Sequence, residues 1–328
     1  MTNLPLTFAC GLYDRVLPLY AGEVKPVGID LNFLAINSPR DIFDRMGGGQ
    51  EFDASEFSSS EFISGLSAGT TPFVALPSFP SRVFRHSMIT INKRSGIKSP
   101  KDLEGKRVGT PLYTQTAAIF IRGMLQHDHG VDMSKIHFVQ GALNHVGTHG
   151  HPSAPPMLKP IDIELADPRK SLSDLIDKGE IDAIMATGLP LAMKRNPDVV
   201  RLFPNYHEME RDYYKRTGIF PIMHLVAMRR ETYEKYPFAA SSFYEALKAS
   251  RERSLKLMRE TGALRFMMPW MTADLDEIDE VFGGDPWPDG IEANRKTLEA
   301  LVTYLHEQGL IAKKMPIEDI FVKTFESH

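Results

Sequence analysis

A single cysteine, Cys10, stands in 328 residues. No disulfide can form within the chain, and a cysteine-stapled secreted fold is excluded. No apolar run approaches the ~18 residues that a membrane-spanning helix needs. A broad basic field is also missing. Lys and Arg number 38 against 42 Asp and Glu, a formal net charge of −4, so composition gives no sign of a nucleic-acid partner. The opening MTNLPLTFACGLYDR has its first basic residue at Arg15, after the apolar stretch rather than before it. The positive leader of a secretory signal is therefore lacking, and the expectation is a cytoplasmic protein. Repeats and low-complexity segments are absent too. What is present is ordinary globular material: 42% hydrophobic and 24% charged residues. The chain is too long for one simple core, and two domains are expected.

Apolar runs and turn signals alternate along the first part of the chain. LPLTFAC at 4–10 reads as a strand broken by Gly11, and Tyr13–Tyr20 can begin a helix. IDLNFLAI at 29–36 alternates with strand period. Ser38-Pro39 opens a helix over Arg40–Met46 that Gly47-Gly48-Gly49 should end. Phe52–Phe57 is a short strand, and Ser58 to Glu61 matches a capping box for a helix over Ser60–Ala68. FVAL at 73–76 and Met88–Asn92 are further strands. This order predicts a doubly wound α/β unit.

A second unit starts near Ser99, with a strand at Lys106–Gly109, a helix at Thr114–His127, a strand at Ile136–Gln140, a helix at Ser171–Lys178, a buried strand at Ile181–Ala186 and a short one at Val200–Phe203. Gly141–Asp167 carries few regular signals. Beyond the apolar run IFPIMHLVAM at 219–228 the pattern is helical, roughly over 237–261, 272–282, 290–308 and 316–326. Two apolar strands, 87–92 and 221–228, sit where the units join. If both cross, residues 1–90 and 226–328 form a discontinuous first lobe with the C-terminal helices, and 91–225 a second. Ligands of open α/β sheets bind at strand carboxyl ends, beside helix N-termini.

Several side chains suit an anion at such ends. SRVFRHS gathers Arg82, Arg85 and His86. In a helical turn all three share a face; in a strand Arg82 and His86 do. Guanidinium groups hold carboxylates through a planar fork. Ser58 and Ser59, and Thr114, Gln115 and Thr116, stand at two helix starts with free N–H groups. Thr187 follows the strand 181–186, and Glu56 is a candidate base. His224 lies in an apolar strand and needs a partner there. His145, His149 and His151 invite a metal reading, against which a loop over the ligand is weighed.

YDR at 13–15, FDASEFSSSEF at 52–62, PSFPSRVFRHS at 77–87, GTPLYTQTA at 109–117 and DAIMATGLP at 182–190 resemble the 4,5-dihydroxyphthalate decarboxylase family. The strand, GKRVGTP and threonine-started helix resemble the type-2 periplasmic-binding-protein fold. The resemblance covers essentially the whole chain. It implies a two-lobed α/β fold with a two-strand hinge and a helical C-terminal extension. It also implies loss of CO₂ from 4,5-dihydroxyphthalate to give protocatechuate, with a small aromatic carboxylate as ligand and a homo-oligomer at family level; the chemistry itself requires no organic cofactor, and no metal is expected because the acid-and-histidine ligand pattern of metal-dependent aromatic decarboxylases is absent. In that fold a ligand loop follows the first strand, which adds Tyr13 and Arg15 to the candidates. On this reading Arg82 and Arg85 clamp the substrate, His86 or His224 supplies a proton, and Glu56 is the base. The alternative is a non-catalytic solute-binding protein for an aromatic carboxylate. A thiamine-pyrimidine synthase relative would need a cysteine-rich motif that one cysteine cannot provide.

Overall fold

The computed structural model describes residues 2–324. Its strands are β1 (Leu4–Cys10), β2 (Ile29–Ala35), β3 (Ala54–Ser58), β4 (Phe73–Arg82), β5 (Ile89–Asn92), β6 (Arg107–Thr110), β7 (His137–Gln140), β8 (Ile163–Leu165), β9 (Ala183–Met185), β10 (Val199–Arg201) and β11 (Ile222–Arg229). Its helices are α1 (Leu17–Tyr20), α2 (Pro39–Gly49), α3 (Ser59–Ser67), α4 (Thr116–His129), α5 (Leu172–Lys178), α6 (Tyr206–Thr217), α7 (Arg230–Lys235), α8 (Phe238–Met258), α9 (Met271–Phe282) and α10 (Arg295–Glu307).

The chain divides into two compact units. The first comprises the chain as far as Arg82, Ile222–Glu299, and the chain from Met315; the second comprises Val83–Pro221 and Ala300–Lys314. The first unit holds a five-stranded sheet in the order β2-β1-β3-β11-β4. β1 pairs in parallel with β2 and β3, and β11 runs antiparallel to β3 and β4. The second holds a six-stranded sheet in the order β10-β5-β9-β6-β7-β8, with β5 antiparallel to both its neighbours. Each of the two apolar strands at the junctions belongs to one sheet: β5 to the second, β11 to the first. The C-terminal segment is shared differently from the expectation, since Ala300–Lys314 clusters with the second unit. There Tyr304 packs its ring against Phe120, and Gln308 bonds Arg122.

Five local elements differ from the expectation. The strand expected at 73–76 runs on to Arg82, through Pro77 and Pro80. β4 is an edge strand, where a residue without an N–H is tolerated. The glycine triplet does not end α2; Gln50, in the left-handed region at φ 49°, does. Tyr13–Tyr20 is a single 3-10 turn, Asp14–Val16, followed by the one-turn α1. α6 carries no apolar stripe to betray it, for only Tyr213 is buried. Of the helix expected at 316–326, the structure shows a 3-10 turn at Ile317–Asp319, and 325–326 lie outside the described residues.

Candidate active site

Glu56 is the centre of the first unit's polar chemistry. It lies in the middle strand β3 and is fully buried. In the register of β3 and β11, Ser58 faces His224 and Glu56 faces Val226. Glu56 and His224 are thus diagonal neighbours on one sheet face, close enough for long side chains to meet. His224 Nδ1 lies 2.5 Å from Glu56 Oε1. The Tyr13 hydroxyl donates to the same oxygen at 2.9 Å. Gly11 N–H donates to Oε2 at 3.0 Å, and the Cys10 thiol donates to it at 3.6 Å. β1 brings the last two because it ends beside β3. Burial alone would raise the Glu56 pKa. The charge and hydrogen bond of His224, with the bonds from Gly11 and Tyr13, outweigh burial and hold the carboxyl below its ordinary value. The same burial, followed by the Glu56 charge, pushes the Cys10 thiol and the Tyr13 phenol up, so both stay protonated donors.

His224 packs edge-on against Phe43 at 4.9 Å. Its side chain is 17% exposed, and among the described residues Nε2 has no hydrogen-bond partner. Ser58 and Ser59 continue from β3 into α3. Ser58 Oγ accepts the Glu61 N–H at 3.5 Å, as the capping reading requires. Glu61 turns instead to Arg40, at 2.6 Å. Ser59 is buried and its Oγ has no partner among the described residues.

The residues of SRVFRHS separate. Arg82 ends β4 in the first unit, whereas Arg85 and His86 belong to the second. No helix carries the three together; only a 3-10 turn, His86–Met88, forms. Arg82 donates through Nη2 to the Pro288 carbonyl at 2.7 Å and to Asn294 Oδ1. Its buried guanidinium is therefore engaged by the chain itself, which departs from the expected clamp with Arg85. Arg82→Met should leave Asn294 Oδ1 short of a donor, while the Pro288 carbonyl keeps the bond from Asn294 Nδ2. A loss of about 1–3 kcal/mol in urea unfolding is expected; an unchanged midpoint would show that these bonds hold nothing.

Arg85 differs. It is buried, Nη1 reaches only the Thr187 carbonyl at 3.3 Å, and Nε has no partner among the described residues. Burial lowers its pKa to about 10, with Glu210 opposing, so it remains a cation. His86 packs edge-on against Tyr213 and Phe203. Burial, then the charge of His129, pushes its pKa down to about 4. It is neutral near pH 7, which makes it a poor proton donor. Gln115, rather than Thr114, caps α4, and Thr116 opens the helix. Gln115 Nε2 lies 3.0 Å from His149 Nε2. The first-turn N–H groups of α4 have no acceptor within the helix. His145 Nδ1 faces the Val146 carbonyl. Among the described residues no group of three or more His, Cys, Asp or Glu could hold a metal ion.

Tyr13 and Arg15 sit in the loop after β1. Arg15 lies over the Tyr13 ring at 4.2 Å and over the Trp287 ring at 4.5 Å. Ser250 and Ser254 of α8 donate to the carbonyls of Arg15 and Asp14 and fix the loop from below.

Over 98% of its length the chain is 31% identical to a 4,5-dihydroxyphthalate decarboxylase of Comamonas testosteroni, of which it covers 97%. The chain belongs to the 4,5-dihydroxyphthalate decarboxylase family. A second relative of that name, from Pseudomonas putida, is 36% identical over 66% of this chain and 83% of its own. The family model described as NMT1/THI5 like matches residues 82–148, from the end of β4 to beyond β7. Among solved structures, the alkanesulfonate-binding protein SsuA of Xanthomonas axonopodis pv. citri, bound to MOPS, is similar at TM-score 0.51 and 10% identity, over 98% of this chain and 99% of its own. A Candida albicans protein described as exhibiting the generic periplasmic-binding-protein fold gives 0.50 and 13%, over 96% and 93%. The fold is therefore that of the periplasmic binding proteins. Among the described residues no helix is long and apolar enough to cross a membrane.

Sequence reasoning named Glu56, His224 and Tyr13 but assigned them separate duties; it did not join them. Cys10 and Trp287 it missed as members of the site. One signal was available: an acid in FDASEF and an imidazole in PIMHL, each in an apolar strand, both require a buried partner.

Proposed function

We propose that the protein is a carboxy-lyase that converts 4,5-dihydroxyphthalate to protocatechuate and CO₂. The observation that carries this reading beyond the family names is the pairing of buried Glu56 with His224, whose Nε2 has no hydrogen-bond partner among the described residues. A binding protein needs donors for its anion; it has no use for a buried carboxylate that fixes the orientation of an imidazole.

The chemistry is as follows. A hydroxyl para to the departing carboxylate loses its proton, and the ring is protonated at the carboxylate-bearing carbon. The quinoid so formed loses CO₂, and the C–C bond electrons return through the ring to the phenolate, which is reprotonated. One proton is consumed overall. His224 is the group that delivers the ring proton from Nε2, and Glu56 orients it through Nδ1. His224, then the Gly11 N–H and the Tyr13 hydroxyl, hold the Glu56 carboxyl below its ordinary value, and the Cys10 thiol donates to it as well. In the second unit Arg85 is the cation proposed for a carboxylate, with the N-terminus of α4 as a donor; in the first unit the proposed donors are Ser59 and the N-terminus of α3. Thr187, Gln115, Thr114, Thr116, Ser58 and Arg15 remain proposed substrate contacts. His86, neutral at pH 7, is withdrawn from the donor's role. This reaction needs no metal or organic cofactor.

Incubation of the purified protein with 4,5-dihydroxyphthalate, with and without chelator, tests the reading. Protocatechuate should form at the same rate in both. Binding without turnover would select the solute-binding alternative, and loss of turnover on chelation would overturn the metal-free scheme. The enzymatic reading also implies a cytoplasmic protein, which cell fractionation checks.

A further inference from the structure

Three cations grip one segment of the first unit, Asp285–Asn294. Arg251 bonds Asp285 at 2.8 Å and Asp289 at 2.7 Å. Arg82 bonds the Pro288 carbonyl and Asn294. Arg15 stacks on Trp287, whose indole N–H donates to the Phe79 carbonyl at 2.9 Å. Gly290 N–H donates to the Pro77 carbonyl at 2.8 Å, so the segment is tied to β4 along its length. This much could be purely structural. What points further is the other face of Arg15. It rests on the Tyr13 ring, and Tyr13 donates to the oxygen of Glu56 that His224 also uses. Arg15 is also tied by its own Nε bond to the Pro80 carbonyl and its ion pair with Asp14. The guanidinium is thus clamped between two aromatic faces, an arrangement favourable for Arg.

We propose that Trp287 is a positioning residue for the decarboxylation: through the Trp287–Arg15–Tyr13 stack it fixes the Tyr13 hydroxyl on Glu56 Oε1. This rests on the proposed role of the Glu56–His224 pair. The groups that face Glu56 are Cys10 and Gly11 from the end of β1, Tyr13 and the more distant Arg15 from the following loop, and His224 from β11. Of these donors, Tyr13 reaches Glu56 through a long side chain from the loop after β1, and Arg15 lies over its ring. Without the stack the ring can leave, one donor to Oε1 is lost, and the carboxylate binds its proton more tightly.

Trp287→Leu removes both the stack and the indole hydrogen bond, whereas Trp287→Phe keeps a ring under Arg15 and loses only the bond. Expected for Trp287→Leu is a fall in kcat of about 5- to 20-fold with KM little changed, like that of Tyr13→Phe. The Tyr13→Phe/Trp287→Leu double variant should be no slower than the slower single. Trp287→Phe should restore most of the rate. A readout without substrate is the titration of the Glu56 carboxyl carbon by NMR, assigned with Glu56→Gln. Its midpoint should rise by about 0.5–1 unit in Trp287→Leu and stay in Trp287→Phe. Additive losses in the double variant, or an unmoved carboxyl midpoint, would make Trp287 merely structural. Should Trp287→Leu not fold, Arg15→Met breaks the same stack and must move the same midpoint. If the wild-type protein does not release CO₂, the proposed function falls, while the carboxyl titration still decides the role of the stack.

Discussion

Glu56→Gln is expected to lower turnover of 4,5-dihydroxyphthalate by about 10²- to 10⁴-fold, the range for losing a positioned acid or base. The amide is nearly isosteric, but it carries no charge to hold the His224 proton. Its NH₂ would also meet the Gly11 N–H where Oε2 now accepts at 3.0 Å. A lower unfolding midpoint should therefore accompany the rate loss, with the circular dichroism of the folded protein retained. The pH dependence has a definite sign. The folded carboxyl is depressed below its unfolded value. Its ionisation therefore stabilises the protein fully above the ordinary pKa of about 4.3. That increment is lost as pH falls through the depressed value. The stability gap between wild type and Glu56→Gln should narrow with acid over that window. His224→Asn offers the complementary test. Asparagine can still donate to Glu56 from near the Nδ1 position, yet it has no counterpart of Nε2. It should be as slow as Glu56→Gln while unfolding close to wild type, and the double variant should be no slower than either. Wild-type-like turnover in either single variant would remove the pair from the mechanism.

Arg85→Met should raise KM for the dianion by roughly 10- to 150-fold, the worth of one charge-assisted hydrogen-bonding partner. It should leave stability unchanged or improve it. The reason is the partner count: a buried guanidinium that, among the described residues, has a single 3.3 Å bond to a carbonyl and no ion pair is a desolvated charge. Replacing it by an apolar side chain removes that cost. Arg85→Lys should not restore affinity, because an ammonium group lacks the planar fork. Steady-state kinetics and thermal unfolding on the same preparations check both halves. A melting temperature that falls together with activity would mark Arg85 as a structural cation instead. The contrast with Arg82 is informative: two arginines three residues apart in one motif should respond oppositely, Arg82→Met in stability and Arg85→Met in KM.

The α/β class was legible because it follows from local periodicity. Apolar runs of four to eight residues between turn signals give strands whatever surrounds them, and serine-led starts such as Ser38, Ser58 and Ser171 cap helices in the structure. The family, too, was legible, since YDR, FDASEFSSSEF and PSFPSRVFRHS are contiguous strings. α6 was not, because its exposure leaves no apolar stripe. Nor was the full length of β4, because whether proline interrupts a strand depends on whether the strand is an edge, which is a property of the sheet.

The same division runs through the site. The sequence by itself determined which chemical groups are available: two arginines and a histidine in SRVFRHS, a buried acid, an imidazole in an apolar strand, and serine and threonine at helix starts. Only the tertiary structure decided which of them act together. Residue 56 meets residue 224 because β11 returns antiparallel beside β3 in a fixed register, and residue 15 meets residue 287 because the segment after α9 folds back on β4. Arg82 and Arg85 were adjacent in the sequence and alike in charge. Burial and hydrogen-bond partners, which are set by contacts more than 100 residues away along the chain, made the first a brace and left the second an unpaired cation.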